Sequence, residues 1–263
     1  MAENDQNERY RAPALDKGLD ILELLADTQD GMTQGEISRA LNRSPNEIYR
    51  MLERLVRRDY VVRTPNDSYE LSLKMFALAH RQPPLQRLIT RATPLMRRFA
   101  NQSAQAAHLA VYDRGHVVVV AQVDAPGYWS LAIKVGSHIG LVNTGSGQIL
   151  LAFASREERA MMLEEHHYFP HETMPPDLEA MLETVRRRGY DARPSQQIAA
   201  VQNLSVPLLG SDGHIMAAIT CPYVELLGDN ALPTRDAVLD LIVKLGHELS
   251  WIMSEDQGER VRD

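Results

Sequence analysis

Apolar residues at Leu15, Leu19, Ile21, Leu22, Leu24 and Leu25 recur at helical spacing and stop at Asp27-Thr-Gln-Asp-Gly31, so the pattern predicts a first amphipathic helix. Thr33, a possible cap with Glu36 three residues on, opens a short run with Ile37, Ala40 and Leu41 at helical spacing. A break at Asn42-Arg43 precedes Ser44-Pro45, a cap and first-turn pair. Ile48, Met51, Leu52, Leu55 and Val56 then repeat at three and four residues and predict a longer helix. Two short helices joined by about four residues form the helix-turn-helix pattern. Val61-Val-Arg63 and Tyr69-Glu-Leu71 flank the turn-rich Thr64–Ser68, which reads as a β-hairpin wing.

Further along, Leu71, Leu73, Met75, Phe76, Leu78 and Ala79 suggest another helical run, ended by Gln82-Pro-Pro84 as a domain boundary. Leu85, Leu88, Ile89, Ala92, Leu95, Met96 and Phe99 predict a helix in which Pro94 implies a kink or restart. From Ala107 the period changes. Ala107–Tyr112 and His116–Val123 read as strands around Asp113-Arg-Gly115, and Trp129–Val135 as a third strand. Asn143-Thr-Gly-Ser-Gly147 leads into a helix, and residues 155–165 and 177–188 read as two more. Ala199–Leu208 and His214–Val224 read as strands, with a long closing helix over Arg235–Met253. Such an order describes an α+β domain with an antiparallel sheet.

Charge sharpens the first part. From Thr33 to Arg63 seven arginines face four acids, a balance of +3, although the whole chain carries −7. A basic segment in an acidic chain is the electrostatic footprint of nucleic-acid binding. The alternative is the solvated face of a helical pair. If Ile48, Met51, Leu52 and Leu55 are buried, Asn46, Glu47, Arg50 and Arg54 face solvent, where they could reach bases or phosphates. A single cysteine excludes an internal disulfide framework and any multi-cysteine zinc site, so a reducing cytoplasm is expected. No apolar run is long enough for a membrane span, and the polar start is unlike a signal peptide.

Candidate chemistry lies further on. Asn143-Thr-Gly-Ser-Gly147 offers amides at a helix N-terminus, where a carboxylate or phosphate is favoured. A tight turn would explain the glycines equally, and no P-loop lysine follows. His166, His167 and His171 hint at a metal site, but Pro170 breaks the helix that would align them, which leaves an exposed polar loop as the expectation. Cys221 in an apolar strand reads as a small core residue rather than a nucleophile, and no nucleophile elbow occurs. Tyr128-Trp129 could stack on an aromatic ligand or pack a core. No cofactor is expected.

Taken together, ALDKGLDILELL, TQGEISRALNRSPNEIYRMLERLVRRDYV, SYELSLKMFALA, HLAVYDRGHVVVVAQVD, TGSGQILLAF, RRRGY and VPLLGSDGHIMAAIT resemble the IclR-type transcriptional regulators, from about Ala14 to Met253. The resemblance implies a winged helix-turn-helix, a helical linker and a GAF/PAS-like effector domain. It also implies a homodimer or homotetramer on a palindromic operator, and a small organic acid as effector, aromatic ones included. By position, Gly145 and Ser146 would hold the effector carboxylate with backbone amides, and Arg193, Asn203, Thr220 and Pro222 would line the pocket. This chain departs from the family there: Arg193 replaces a frequent acid, Asn203 a cysteine, Thr220 and Pro222 serines, and Gln148 the lysine of a Gly-Lys pair. Arg193 is therefore expected to meet a second acidic group or a larger carboxylate.

The resulting expectations are a tail at 1–12, a winged helix-turn-helix at 13–72, a linker at 73–100, an effector domain at 101–256 and a tail at 257–263. Base contacts fall to Asn46, Glu47 and Arg50, and phosphate contacts to Arg39, Ser44, Tyr49 and Arg63. Thr33, Gln34, Arg43 and Arg54 complete the DNA-facing set. Trp129, Asn143, Thr144, Gly145, Ser146, Arg193, Ser195, Asn203, Thr220 and Cys221 form the effector set. The rival readings are a ligand-independent DNA-binding or dimerisation protein and an enzyme acting on a small acid. Against the enzyme stands the lack of a nucleophile–base constellation.

Overall fold

A computed structural model describes residues 12–225 and 232–260, except for the side chains of 256–260. The chain divides into two compact units, 1–86 and 87–263, and the division falls within the segment read as linker. Of the expected tails, residues 1–11 and 261–263 lie outside the described part.

The first unit contains α1 (Pro13–Ala26), β1 (Met32–Thr33), α2 (Gln34–Ala40), α3 (Pro45–Arg57), β2 (Val61–Arg63), β3 (Ser68–Leu71) and α4 (Lys74–Ala79). Both predicted caps form full capping boxes, Thr33 with Glu36 and Ser44 with Glu47, and Pro45 occupies the first turn of α3. Ile21, Leu25, Ile37, Ile48, Leu52, Val61 and Tyr69 make the core, so the apolar stripes of three helices close against the sheet. That sheet has order β1-β3-β2, with Met32 opposite Tyr69 and Val62 opposite Glu70. The expected helical run from Leu71 begins later. Leu71 ends β3, and the Ser72 amide donates to Tyr60 O at 2.9 Å, which holds the chain beside the wing until Lys74.

From Pro83 to Ser103 the chain forms one helix, α5, continuous through Pro94 rather than restarting there. The second unit then builds a six-stranded antiparallel sheet. Its elements are β4 (Ala107–Asp113), β5 (His116–Val123), β6 (His138–Ile139), α6 (Gly145–Phe153), α7 (Arg156–Glu165), α8 (Leu178–Arg188), β7 (Asp191–Pro194), β8 (Gln202–Leu209), β9 (Ile215–Tyr223) and α9 (Arg235–Arg260). Helix α9 thus takes in part of the segment expected as a tail. Strand order is β6-β5-β4-β9-β8-β7.

Strand alternation sends the two sets of side chains to opposite cores. Leu109, Leu204, Val206, Ile219 and Cys221 face Met96 and Phe99 of α5 and Ile242, Leu245 and Leu249 of α9. Ala110 and Ala218 face Ile149 and Leu151 of α6 and Leu182 and Val185 of α8. Trp129–Val135 is not the expected strand. The Gly136 amide donates to Val119 O, the Val119 amide to Ser137 O, and Val117 pairs with Ile139, so that edge of β5 is already taken by residues 136–139. The histidine loop is exposed as expected from His167 to His171, but His166 is buried against Glu172.

Candidate functional site

On α3, Ile48 and Leu52 are buried while Asn46, Tyr49, Arg50 and Arg54 are exposed, as expected from one helix face turned inward. Those four make no side-chain hydrogen bond or ion pair among the described residues. Arg39 and Arg43 are exposed too, and Thr33 is spent on its capping box. Gln34 donates to Pro45 O at 2.9 Å and ties α2 to α3. Arg63 pairs with Asp67 across the wing at 2.8 Å. Glu47 departs from its expected role. One carboxylate oxygen caps Ser44 and the other meets Lys17, so its acceptors are engaged within the chain rather than offered to a cytosine.

Lys17 and the Ser44 hydroxyl and amide hold the Glu47 carboxyl down at about 2, below its ordinary 4.5. A carboxyl depressed in the folded state contributes stability that is present above the ordinary value and lost as pH falls toward 2. Thermal melts are therefore expected to fall less steeply between about pH 4.5 and 2 in Glu47→Gln than in the parent, with a smaller difference in high salt. Equal acid-side slopes would remove the pair from that account. Glutamine keeps the capping geometry, so only the charge is tested.

In the second unit, cross-strand register assembles a polar line on the α6 side of the sheet. His108 of β4 lies opposite Thr220 of β9, which lies opposite Ser205 of β8. His108 Nε2 is 3.0 Å from Ser146 Oγ, Ser146 Oγ is 2.8 Å from Thr220 Oγ1, and Thr220 donates to Ser205 Oγ at 2.8 Å. Burial pushes the His108 imidazole down to about 4, so it is neutral at pH 7.

The line borders a cavity of about 70 Å³ at the start of α6, with Thr144, Gly145, Ser146, Ser195, Asn203 and Thr220 among its walls. Leu131, Ile133, Ile139, Ile198, Val201 and Pro222 supply apolar surface, and no Asp, Glu, Lys or Arg among the described residues lines it. Thr144 caps α6 by accepting from the Gly147 amide at 3.1 Å. The Gly145 and Ser146 amides meet no acceptor among the described residues, which leaves two donors at the positive end of a helix dipole. Gly145 is required by close approach: a Cβ there would stand 2.3 Å from Ser205 Oγ and 2.9 Å from Asn203 Cβ.

Four expected effector residues lie elsewhere. Cys221 points into the α5–α9 core, because it follows Thr220 by one residue on a strand, and burial pushes its thiol up. Arg193 does not face an open acid site; Asp191 Oδ1 and Gln148 Oε1 each accept from its guanidinium at 2.5 Å. With Asn143 it borders a separate cavity of about 210 Å³. Trp129 lines a larger groove of about 540 Å³ that shares Leu131, Ile198 and Val201 with the first cavity. His108 went unrecognised in the sequence reading, although alternation through Ala107-His-Leu-Ala already sets it opposite Leu109. Among the described residues, no cluster of His, Cys, Asp and Glu is placed to hold a metal ion.

Residues 85–241 match the family model described as bacterial transcriptional regulator IclR C-terminal, and residues 14–65 match the IclR helix-turn-helix domain. The chain belongs to the IclR family of transcriptional regulators. Among curated IclR-family relatives, the HTH-type transcriptional regulator BhcR of Paracoccus denitrificans is 28% identical over 94% of this chain and 90% of its own length. KdgR of Escherichia coli K12 is 26% identical over 78% and 80%. Of solved structures, an IclR homolog from Microbacterium hydrocarbonoxydans complexed with 4-hydroxybenzoate superposes with a TM-score of 0.74 at 22% identity, covering 90% of this chain and 97% of that one. IclR of Thermotoga maritima gives 0.72 at 20%, covering 92% and 99%. The family's members are DNA-binding regulators with an effector domain, not enzymes, and the winged helix-turn-helix and curled antiparallel sheet of this chain share that fold. No helix among the described residues is long and apolar enough to cross a membrane.

Proposed function

We propose that this IclR-family regulator controls a catabolic operon from the cytoplasm, and that its operator affinity is set by a small carboxylic acid bound at the start of α6. What carries the reading is the pair of unclaimed amides at Gly145 and Ser146, at a cavity with no charged side chain in its wall among the described residues. A carboxylate there meets two N–H donors and the helix dipole without a cation. Ser195 and Asn203 orient the acid beside Thr220, and the apolar wall takes its hydrocarbon part. The relative crystallised with 4-hydroxybenzoate supports an acid as the ligand class and keeps aromatic acids within it. Trp129 borders the adjoining groove and touches only a longer acid.

On the DNA side, Asn46, Tyr49, Arg50 and Arg54 are the groups free to meet an operator, with Arg39, Arg43 and the wing near phosphate. Glu47 is withdrawn from base contact by its cap and its lysine. The protein acts as a homodimer or homotetramer on a palindromic site, since two-fold protein symmetry is mirrored in the operator. An acid that binds two states of the protein unequally shifts operator affinity by that difference.

The test selects binding sites from a random DNA library with the purified protein and then titrates the best site with and without a panel of aliphatic and aromatic acids. One recurrent inverted-repeat site, with affinity changed by at least one acid, is expected. Arg50→Ala should weaken that site by roughly ten- to a hundredfold and relax its base preference. An enriched site that no acid modulates would sink the effector half and favour a ligand-independent DNA-binding protein.

A further inference from the structure

The proton count along the buried polar line fixes what His108 can do. Thr220 spends its single hydroxyl proton on Ser205, so toward Ser146 it can only accept. Ser146 therefore donates to Thr220 and accepts from His108 Nε2, which carries the ring proton. Burial keeps the imidazole neutral, with its pKa down at about 4, so Nδ1 is a bare lone pair. That atom is buried and has no partner among the described residues, while the ring forms part of the cavity wall. A buried acceptor left unpaired is costly, and a site holding one discriminates by supplying its donor from the ligand.

Resting on the reading of this cavity as an acid site, we infer that it selects carboxylic acids bearing a hydroxyl close to the carboxyl group, with His108 Nδ1 accepting the hydroxyl proton. His108 is then a specificity-determining residue. Its Nε2 is held 3.0 Å from the side chain of Ser146, whose amide faces the carboxylate, so Nδ1 lies one imidazole away from that anchor. That short span places the recognised hydroxyl on a carbon beside the carboxyl or one further on. A 2-oxo acid of the same skeleton offers an oxygen lone pair where a proton is wanted, and is rejected. Arg193 does not meet such a ligand, because it borders the separate cavity and not this one.

The experiment is calorimetric titration of the full-length protein at pH 7 with matched pairs: lactate and pyruvate, 2-hydroxybutyrate and 2-oxobutyrate, mandelate and phenylglyoxylate, 3-phenyllactate and phenylpyruvate. Acetate, butyrate and benzoate serve as unsubstituted acids. In at least one pair the hydroxy acid should bind about tenfold tighter or more. In His108→Gln, which keeps a donor for Ser146 and removes the second nitrogen, that ratio should fall to roughly threefold or less. Equal binding within every pair, preference for the oxo or unsubstituted acid, or a preference that survives in His108→Gln overturns the inference and leaves the acid site standing. The parent protein alone decides the first two outcomes, whatever the variant's stability. If no acid of any kind binds, the reading of the cavity falls and the inference falls with it.

Discussion

Glu172→Ala is expected to cost the second unit about 4 kcal/mol, within the range for removing one partner of a buried, hydrogen-bonded pair. The side chains of His166 and Glu172 are 1% and 0% exposed. Glu172 Oε2 lies 2.9 Å from His166 Nε2 and accepts from the Phe169 amide, while Oε1 accepts from the Val142 amide at 2.9 Å. The other ring nitrogen of His166 donates to Gly115 O at 2.9 Å. Alanine therefore strands an imidazole and the Val142 amide, both buried, and opens a cavity besides. Val142 is two residues ahead of the cap Thr144, so acid binding should weaken along with stability. Both tryptophans, Trp129 and Trp251, belong to the second unit, so urea unfolding followed by tryptophan fluorescence reads it directly. A loss below about 1 kcal/mol would mean that water replaces the carboxylate and that the pair is not structural.

Gly147→Ala should cost about 3 kcal/mol through a different cause, overpacking. A Cβ on Gly147 would stand 2.1 Å from Leu141 O and 2.6 Å from both its carbonyl carbon and its Cα. Every one of those atoms is backbone, so no side-chain rotation relieves the contact. The first turn of α6 would have to lift away from the 140–144 loop, and with it the amides of Gly145 and Ser146. Unfolding by urea and titration with whichever acid binds the parent should both register the change. A variant of parental stability and affinity would show that the loop yields at little cost, against the close approach inferred here.

How far the sequence alone reached differs between the units for one physical reason. The first unit is built from signals a few residues apart. Thr33 with Glu36, Ser44 with Glu47, Pro45 in a first turn, and the spacing of Ile48, Leu52 and Leu55 place α2 and α3, and the turn-rich Thr64–Ser68 between two apolar runs places the wing. The resemblance to a regulator family was legible as well, because the order of short motifs survives without knowledge of packing. In the second unit, period two told which residues share a face but not which strands are neighbours, since register depends on partners far along the chain. So Trp129–Val135 read as a strand, although the edge of β5 was already paired with residues 136–139.

The site shows the same division more sharply. Thr144, Gly145 and Ser146 could be singled out from local chemistry, as part of a glycine-rich turn offering amides at a helix start. His108 could not, because its partner Ser146 is 38 residues away and the next link, Thr220, another 74. Arg193 looked like a free cation in a line of residues, and only folding brings Gln148 to it from 45 positions upstream. His166 read as part of an exposed polar loop, and is buried because it and Glu172 satisfy each other. Local spacing determined the helices, caps and alternating faces. Which polar groups are spent on one another, and which two amides and one nitrogen stay unpaired among the described residues, was decided by tertiary structure, since hydrogen-bond partners are assigned in space.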